Sequence, residues 1–338
     1  MPFDWPRIIA LDLDAALRHP LVAIAAPRAR IRIIVSTSYC ITVYNKARHI
    51  GRVVDAVIAE AARIGGEIVV YDDGSTDESV ALLRPYVERG AVRLIEGREN
   101  VGVFAATERL IREARQPFLR LVDGDDEIVA GSTAKLIAAL ERHDAVLAIG
   151  GCMARTEAVS AVETESSALV PEAFALYAKN VDFNLSGAVM RTGSAKTILP
   201  LPTGLRISQD LCITLRLARR GAVARSAAVA SIQPDEPDNR LSRRVAAMFR
   251  DICLILSIEL GAESPPAEAA AVTRRQAGRC LRYFRREAPA SLTLPDRLAL
   301  YRYRLTSPTC PVPTSQTRLR RIAGIYAGDA ERVLKHAG

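Results

Sequence analysis

"EIVVYDDGSTDESVALLRPYVERGAVRLIE", residues 67–96, sets an apolar β-prone run, a glycine turn, a helical stretch and a second apolar run in one short span. Val69, Val70 and Tyr71 read as the end of a strand. Gly74 relaxes the backbone after it, Ser75 stands where a helix N-cap belongs, and Glu78 three residues on is spaced to complete a capping box. "ESVALLRPYVER" then reads as a helix and "AVRLIEG" as the next strand. Asp72 and Asp73 stay unexplained by the turn, because two adjacent carboxylates repel unless a cationic or hydrogen-donating group meets them.

The same alternation runs from residue 31 to residue 151. "IRIIVSTSYCITVY" reads as a strand. In "KARHIGRVVDAVIAEAARI", Ile50, Val53, Val54, Val57, Ile58, Ala61 and Ile64 share one helical face, and Gly65–Gly66 stops the helix. "VFAATERLIREAR" is a helix, "FLRLVD" a strand, "STAKLIAALERH" a helix and "DAVLAIGG" a strand. Strands alternating with helices predict an α/β fold, a mostly parallel sheet sandwiched by helices, with ligands met outside the carboxyl ends of the strands. "FLRLVDGDDEI", residues 118–128, is a second apolar strand emptying into acids, here Asp123, Asp125 and Asp126. Both acidic clusters are expected to face one crevice.

Past Gly151 the pattern loosens into short strands and turns in "DFNLSGAVMRTGSAKTILPLP", a helix in "DLCITLRLARRG", a strand in "VARSAAVASIQ" and a loop at "PDEPDN". From Leu241 apolar and arginine positions recur at helical spacing. The organisation expected is an extension packing on the domain edge at 1–30, a catalytic domain at 31–240 with halves 31–151 and 152–240, and a basic helical module at 241–338. Asn184–Leu185–Ser186 matches a glycosylation sequon, read as a chance match.

The chain has 338 residues and a formal charge of +8, almost all from arginine, much of it after residue 200. A basic flank of this kind suits nucleic acid, a polyanionic acceptor or the anionic face of a membrane; solvated helix surface explains it equally well. Six cysteines lie scattered without C-x-x-C spacing, which excludes a zinc framework and reads as reduced thiols. No apolar run reaches the roughly 18–20 residues of a membrane span. The opening "MPFDWPRIIALDLD" carries acids where a secretory signal carries positive charge, so a cytoplasmic location is expected.

"TVYNK" at 42–46, "YDDGSTD", "ENVG" at 99–102 and "LVDGDDEI", in this order, resemble the family 2 glycosyltransferases of GT-A fold, over roughly residues 31–240. The resemblance implies a nucleotide-diphosphate sugar donor, a glycan or lipid-linked acceptor, and a role in bacterial surface polysaccharide or glycoconjugate synthesis. Thr42, Tyr44 and Asn45 then line the nucleotide, Tyr44 with a stacking face, and Asp73 hydrogen-bonds the base, which favours uridine. "DGDD" resembles the D-x-D type motif: Asp125 as principal ligand and Asp123, also at the ribose, hold Mn²⁺ or Mg²⁺ on the diphosphate. Asp126 competes for that ligand role. "GLRISQDLCITLRLARRG" matches the segment of the catalytic base, giving Asp210 that task in a transfer with inversion. Gln209 replaces the usual glutamate, and Thr107 and Glu108 replace an Arg-Asn pair. Gly102, Arg240 and Arg243 are further candidates, the arginines for closing on the diphosphate. Peripheral contact at the inner membrane face through the basic C-terminal region is an added expectation, and nucleic acid is not an expected partner.

Two rivals accompany this reading. "IIALDLDAAL" sets Asp12 and Asp14 as in haloacid dehalogenase-like phosphatases, although Ala15 and Ala16 stand where that family places glycine and threonine. A catalytically degenerate GT-A-fold binding protein is the other. G-x-G-x-x-G after the first strand and G-x-x-x-x-G-K-[ST] are both absent, which excludes the common dehydrogenase and P-loop classes.

Overall fold

The computed structural model describes residues 36–154, 166–179, 184–234, 245–261, 263–288 and 291–336. The extension at 1–30, with Asp12 and Asp14, lies outside the described residues, as do Arg240 and Arg243. The described residues fall in one compact unit.

β1 (Thr37–Val43) begins the sheet. Its side chains alternate across the two faces, as a strand's must. Tyr39, Ile41 and Val43 bury with Ile50, Val53, Val54 and Val57 of α1 (Ile50–Ile64), the face read from the sequence. Cys40 joins the opposite core with Leu110 and Ile111 of α3 (Val103–Glu113). Helix α1 stops at Gly65, whose φ of 85° lies in the left-handed region. β2 (Gly66–Asp72), α2 (Ser79–Glu88), β3 (Arg93–Glu96) and β4 (Phe118–Asp123) complete the parallel half, all near the expected bounds.

The second half departs from a purely parallel sheet. β5 (Glu127–Ile128), α4 (Ser132–Arg142), β6 (Ala145–Ala154), β7 (Ser167–Leu169), α5 (Ala173–Lys179), β8 (Ala188–Arg191), α6 (Thr192–Thr197), α7 (Gln209–Ala218) and β9 (Ala222–Gln233) follow. The sheet order is β3-β2-β1-β4-β8-β6-β9-β5, with β7 on β9. β8 enters antiparallel between β4 and β6. Alternation along the chain could not reveal this, because the inserted strand comes from more than thirty residues after β6.

Four helices close the chain: α8 (Val245–Glu259), α9 (Pro266–Glu287), α10 (Leu294–Arg304) and α11 (Val312–His336). Ile252, Cys253 and Leu256 of α8 and Cys280 and Phe284 of α9 share one buried cluster with Leu211, Ile213 and Leu215 of α7. No helix among the described residues is long and apolar enough to cross a membrane.

Candidate active site at the strand ends

The carboxyl ends of three neighbouring parallel strands form the site. Thr42 pairs in register with Tyr71 on one side and Asp123 on the other, and Val43 with Asp72, which sets both acidic clusters on one rim. Gly124 lets the "DGDD" loop close on β1, since a Cβ there would lie 2.7 Å from the Thr42 carbonyl oxygen. Thr42 Oγ1 reaches Asp123 Oδ1 at 3.5 Å. Tyr44, 44% exposed, leaves its ring open at the mouth.

Backbone donors resolve the opening acidic pair. Asp72 Oδ2 accepts from Ser75 N at 3.0 Å, while Asp73 Oδ1 and Oδ2 accept from Val101 N and Gly102 N at 2.8 and 2.9 Å. Burial raises the Asp73 pKa, the two N–H donors lower it, and Asp72 raises it again. Asp73 therefore carries the "ENVG" loop, and any base contact must use its remaining lone pairs. The expected capping box does not form. Asp77 caps α2 by accepting from Ser79 N at 2.9 Å, and Ser75 Oγ instead accepts from Asn45 N at 2.9 Å. Asn45, with φ of 53°, accepts from Thr76 N at 2.8 Å, so it clamps the two strand-end loops together.

In the "DGDD" loop each acid has a different setting. Asp123 N donates to Ser186 Oγ at 3.0 Å. Asp125 Oδ2 accepts from Lys46 Nζ at 2.5 Å. Asp126 is buried and accepts from Asn184 Nδ2 at 2.6 Å; burial, then the charges of Asp123 and Asp125, push its pKa up to about 7. Asp126 is thus engaged by Asn184 inside the protein, while Asp123 and Asp125 are only partly buried. Asn184 and Ser186, dismissed in the sequence as a chance sequon, are the side chains that hold this loop.

Among the described residues no three His, Cys, Asp or Glu side chains gather to cage a metal unaided. The donor set nevertheless fits a hard cation that takes its other ligands from a diphosphate and water. Asp123 and Asp125 offer carboxylate oxygens, the donor type such a cation takes, and a cation on Asp125 would displace the Lys46 ammonium already bonded there.

Asp210 stands in the first turn of α7, behind Ser208, whose φ of 68° is rare for a residue with a side chain. Its Oδ1 accepts from Leu211 N at 2.8 Å. Burial pushes its pKa up to about 7 against that hydrogen bond, and the charge of Asp123 adds to the rise. The last link ties the α7 acid to the "DGDD" cluster electrostatically. Of the two residues replacing the Arg-Asn pair, Thr107 is buried and Glu108 accepts from Leu201 N at 2.7 Å, holding the loop ahead of α7.

Two residues the sequence reading passed over support the site from behind. Arg120 of β4, fully buried, donates to Ser132 Oγ, Thr133 Oγ1 and the carbonyls of Ser186 and Ala230, at 2.6 to 3.1 Å. An arginine inside an apolar strand was the signal available, since such residues are buried only when fully partnered. Asp251 of α8, also fully buried, accepts from Arg206 N at 2.7 Å and Ile207 N at 2.9 Å, just ahead of Asp210.

Comparison with known proteins places this geometry. Residues 38–195 match the family model "Glycosyl transferase family 2". A dodecaprenyl-phosphate galacturonate synthase of Rhizobium johnstonii is 30% identical over 117 residues, 33% of this chain and 35% of that protein. Succinoglycan biosynthesis protein ExoU of Rhizobium meliloti is 33% identical over 104 residues, 30% of each chain. The chain thus spans about a third of the length of the curated relatives it matches. Among solved structures, S. aureus TarS 1-349 in complex with UDP-GlcNAc superposes with a TM-score of 0.61 at 14% identity, over 89% of this chain and 92% of that one. Mannosyltransferase PcManGT from Pyrobaculum calidifontis, in complex with GDP-Man and Mn²⁺, gives 0.55 at 17% identity, over 92% and 91%. These likenesses show the GT-A fold.

Proposed function

From the premise that residues 38–195 form a family 2 glycosyl transferase domain, we propose that the protein transfers a sugar from a nucleotide-diphosphate donor, UDP-linked by preference, to an acceptor hydroxyl with inversion. What carries the reading is the pair of acidic strand ends set on one rim, Asp72–Asp73 after β2 and Asp123–Asp125 after β4, with Asp210 linked to the second by the charge of Asp123, which adds to the burial that raises its pKa. A carboxylate that titrates near neutrality is suited to accept a proton at working pH.

Asp210 takes the acceptor's hydroxyl proton while that oxygen attacks the anomeric carbon from the face opposite the diphosphate. The bond from carbon to phosphate oxygen breaks, and its electron pair leaves with the nucleoside diphosphate. Tyr44 and Thr42 line the nucleotide, with Asn45 and Asp73 shaping the loops around it. Bound at Asp125 and Asp123, Mg²⁺ or Mn²⁺ would supply positive charge to the departing diphosphate. That TarS is seen with UDP-GlcNAc and PcManGT with GDP-Man and Mn²⁺ supports donor and metal alike. The names of the two rhizobial relatives support a glycan or lipid-linked acceptor in polysaccharide synthesis, and a meeting with it at the inner face of a membrane belongs to the same proposal. The domain division 31–240 and 241–338 and a closing role for Arg240 and Arg243 belong to the same proposal.

One observation favours a second reading. Lys46 already satisfies Asp125, as expected of a catalytically degenerate protein that binds nucleotide without metal. Thermal denaturation with UDP, GDP, dTDP and CMP, each with and without Mn²⁺, separates the two. A hundredfold excess of ligand over Kd adds about 2.7 kcal/mol to stability. The transferase reading expects UDP to stabilise the chain in a metal-dependent way that Asp125→Asn removes. Stabilisation indifferent to metal supports the degenerate reading, and no response to any nucleotide overturns both.

A further inference from the structure

Four of the ten large apolar side chains that stand exposed among the described residues belong to α10 and its cap: Leu294 at 68%, Leu298 at 52%, Tyr301 at 49% and Leu305 at 83%. Exposed apolar residues scattered singly need no explanation, but a contiguous row of them does. Their spacing of four, three and four, at about 100° per residue, gathers them within about 60° of one side of the helix. The opposite side is docked. Leu300 is fully buried there, and Asp296 is held by Arg321 at 2.8 Å and Thr293 Oγ1 at 2.6 Å.

Charge frames the row. By the same helical angle Arg297 and Arg304 flank it on one side and Arg302 on the other, and all three are exposed. Between residues 291 and 327 Asp296 is the single acid, against Arg297, Arg302, Arg304, Arg318, Arg320 and Arg321. That acid is turned to the docked side, so the charges flanking the apolar row on this helix are all arginine.

We infer that α10 is a membrane-docking helix that lies in the plane of an anionic bilayer surface, with Leu294, Leu298, Tyr301 and Leu305 among the acyl chains and headgroups and Arg297, Arg302 and Arg304 on lipid phosphates. An amphipathic helix with Leu and an aromatic on one side and arginines at its margins is the composition that lies in an interface, and long arginine stems reach from an apolar footing to charge above it. Two other occupants fit less well. A second copy seated on this face would set the same arginines against one another, and a nucleic acid would meet four apolar side chains where its phosphates need donors. The inference deepens the acceptor side of the transferase reading, in which a lipid-linked acceptor is met at the bilayer, and it rests on that reading only for its biological purpose.

The test is co-sedimentation of the full chain with vesicles of phosphatidylcholine alone and of phosphatidylcholine mixed with phosphatidylglycerol, without nucleotide. The wild-type chain should pellet with the anionic vesicles and far less with the neutral ones. Both Leu298→Asp/Leu305→Asp and Arg302→Glu/Arg304→Glu should weaken partition at least about tenfold, the first by lost burial and the second by lost attraction. Undiminished melting temperature and UDP response show that these exposed changes leave the fold intact. A wild-type chain that ignores anionic vesicles overturns the inference, as do variants that bind like wild type. Self-association that Leu298→Asp/Leu305→Asp abolishes, with no vesicle binding, also overturns it and assigns the face to a second copy. Vesicle binding without any nucleotide response leaves the docking helix standing and removes the transferase reading instead.

Discussion

Asp210 ionises in the folded chain only near pH 7, against about 4 for an unperturbed aspartate. As a base it acts ionised, so transfer at saturating donor should climb with pH through about 7 and level above it. Asp210→Asn should cost about 10²–10⁴ in rate while UDP binding persists; loss of nucleotide binding instead would remove Asp210 from the base role. The same shift has a sign for stability. The fold favours the protonated acid, so this group's contribution is whole below about pH 4 and is lost as pH rises through about 7. Asp210→Asn should therefore melt higher than wild type at pH 8 and match it at pH 4, and a variant that melts lower at pH 8 would contradict the assigned burial. Lys46 offers a second prediction. Its ammonium holds the Oδ2 that a divalent ion would take, so Lys46→Met should tighten Mn²⁺ binding to the free protein roughly tenfold, about 1.4 kcal/mol, read from the electron paramagnetic resonance signal of unbound Mn²⁺. Weaker binding would make Lys46 a support of the metal site and not its competitor.

α7 carries Asp210, the proposed base, and bonds from α8 hold α7 and the loop ahead of it in place. Asp251 of α8 binds the backbone just ahead of Ser208. Glu259 at the end of α8 accepts from Arg216 of α7 at 2.8 Å, and the same arginine donates to the Ile198 carbonyl at 2.7 Å. Removing the Asp251 carboxylate leaves two backbone donors without partners, each worth about 1–3 kcal/mol if they stay buried. Asp251→Ala should lower kcat about tenfold with the UDP response unchanged, and Asp251→Asn, which keeps an acceptor oxygen, should recover part of the loss. Equal kcat in all three chains would detach α8 from the chemistry. The bonds of Asp251 and Glu259 join residues 43 to 45 positions apart, and no local pattern announces them.

Over the whole chain, what repeats was legible and what joins distant segments was not. The periods of strand and helix gave α1, α3 and the strands β2 to β4 close to their observed ends and β1 close to its carboxyl end only, and acids at two strand ends pointed to one rim. Among what escaped were the antiparallel entry of β8, the backbone donors that let Asp72 and Asp73 sit side by side, and the pairing of Lys46 with Asp125. Each depends on which loops meet, and in a mixed sheet that is set by connections across the fold. Arg120 shows how far such a dependence reaches. Its guanidinium, lowered to a pKa of about 10 by burial, needs oxygens from residues 132, 133, 186 and 230. A chain emerging from the ribosome has β4 long before it has Ala230. Until then the arginine must stay in water, because a buried cation without its acceptors is strongly disfavoured. The β1–β4 part of the sheet therefore cannot bury this arginine with its full set of acceptors until β9 has been made.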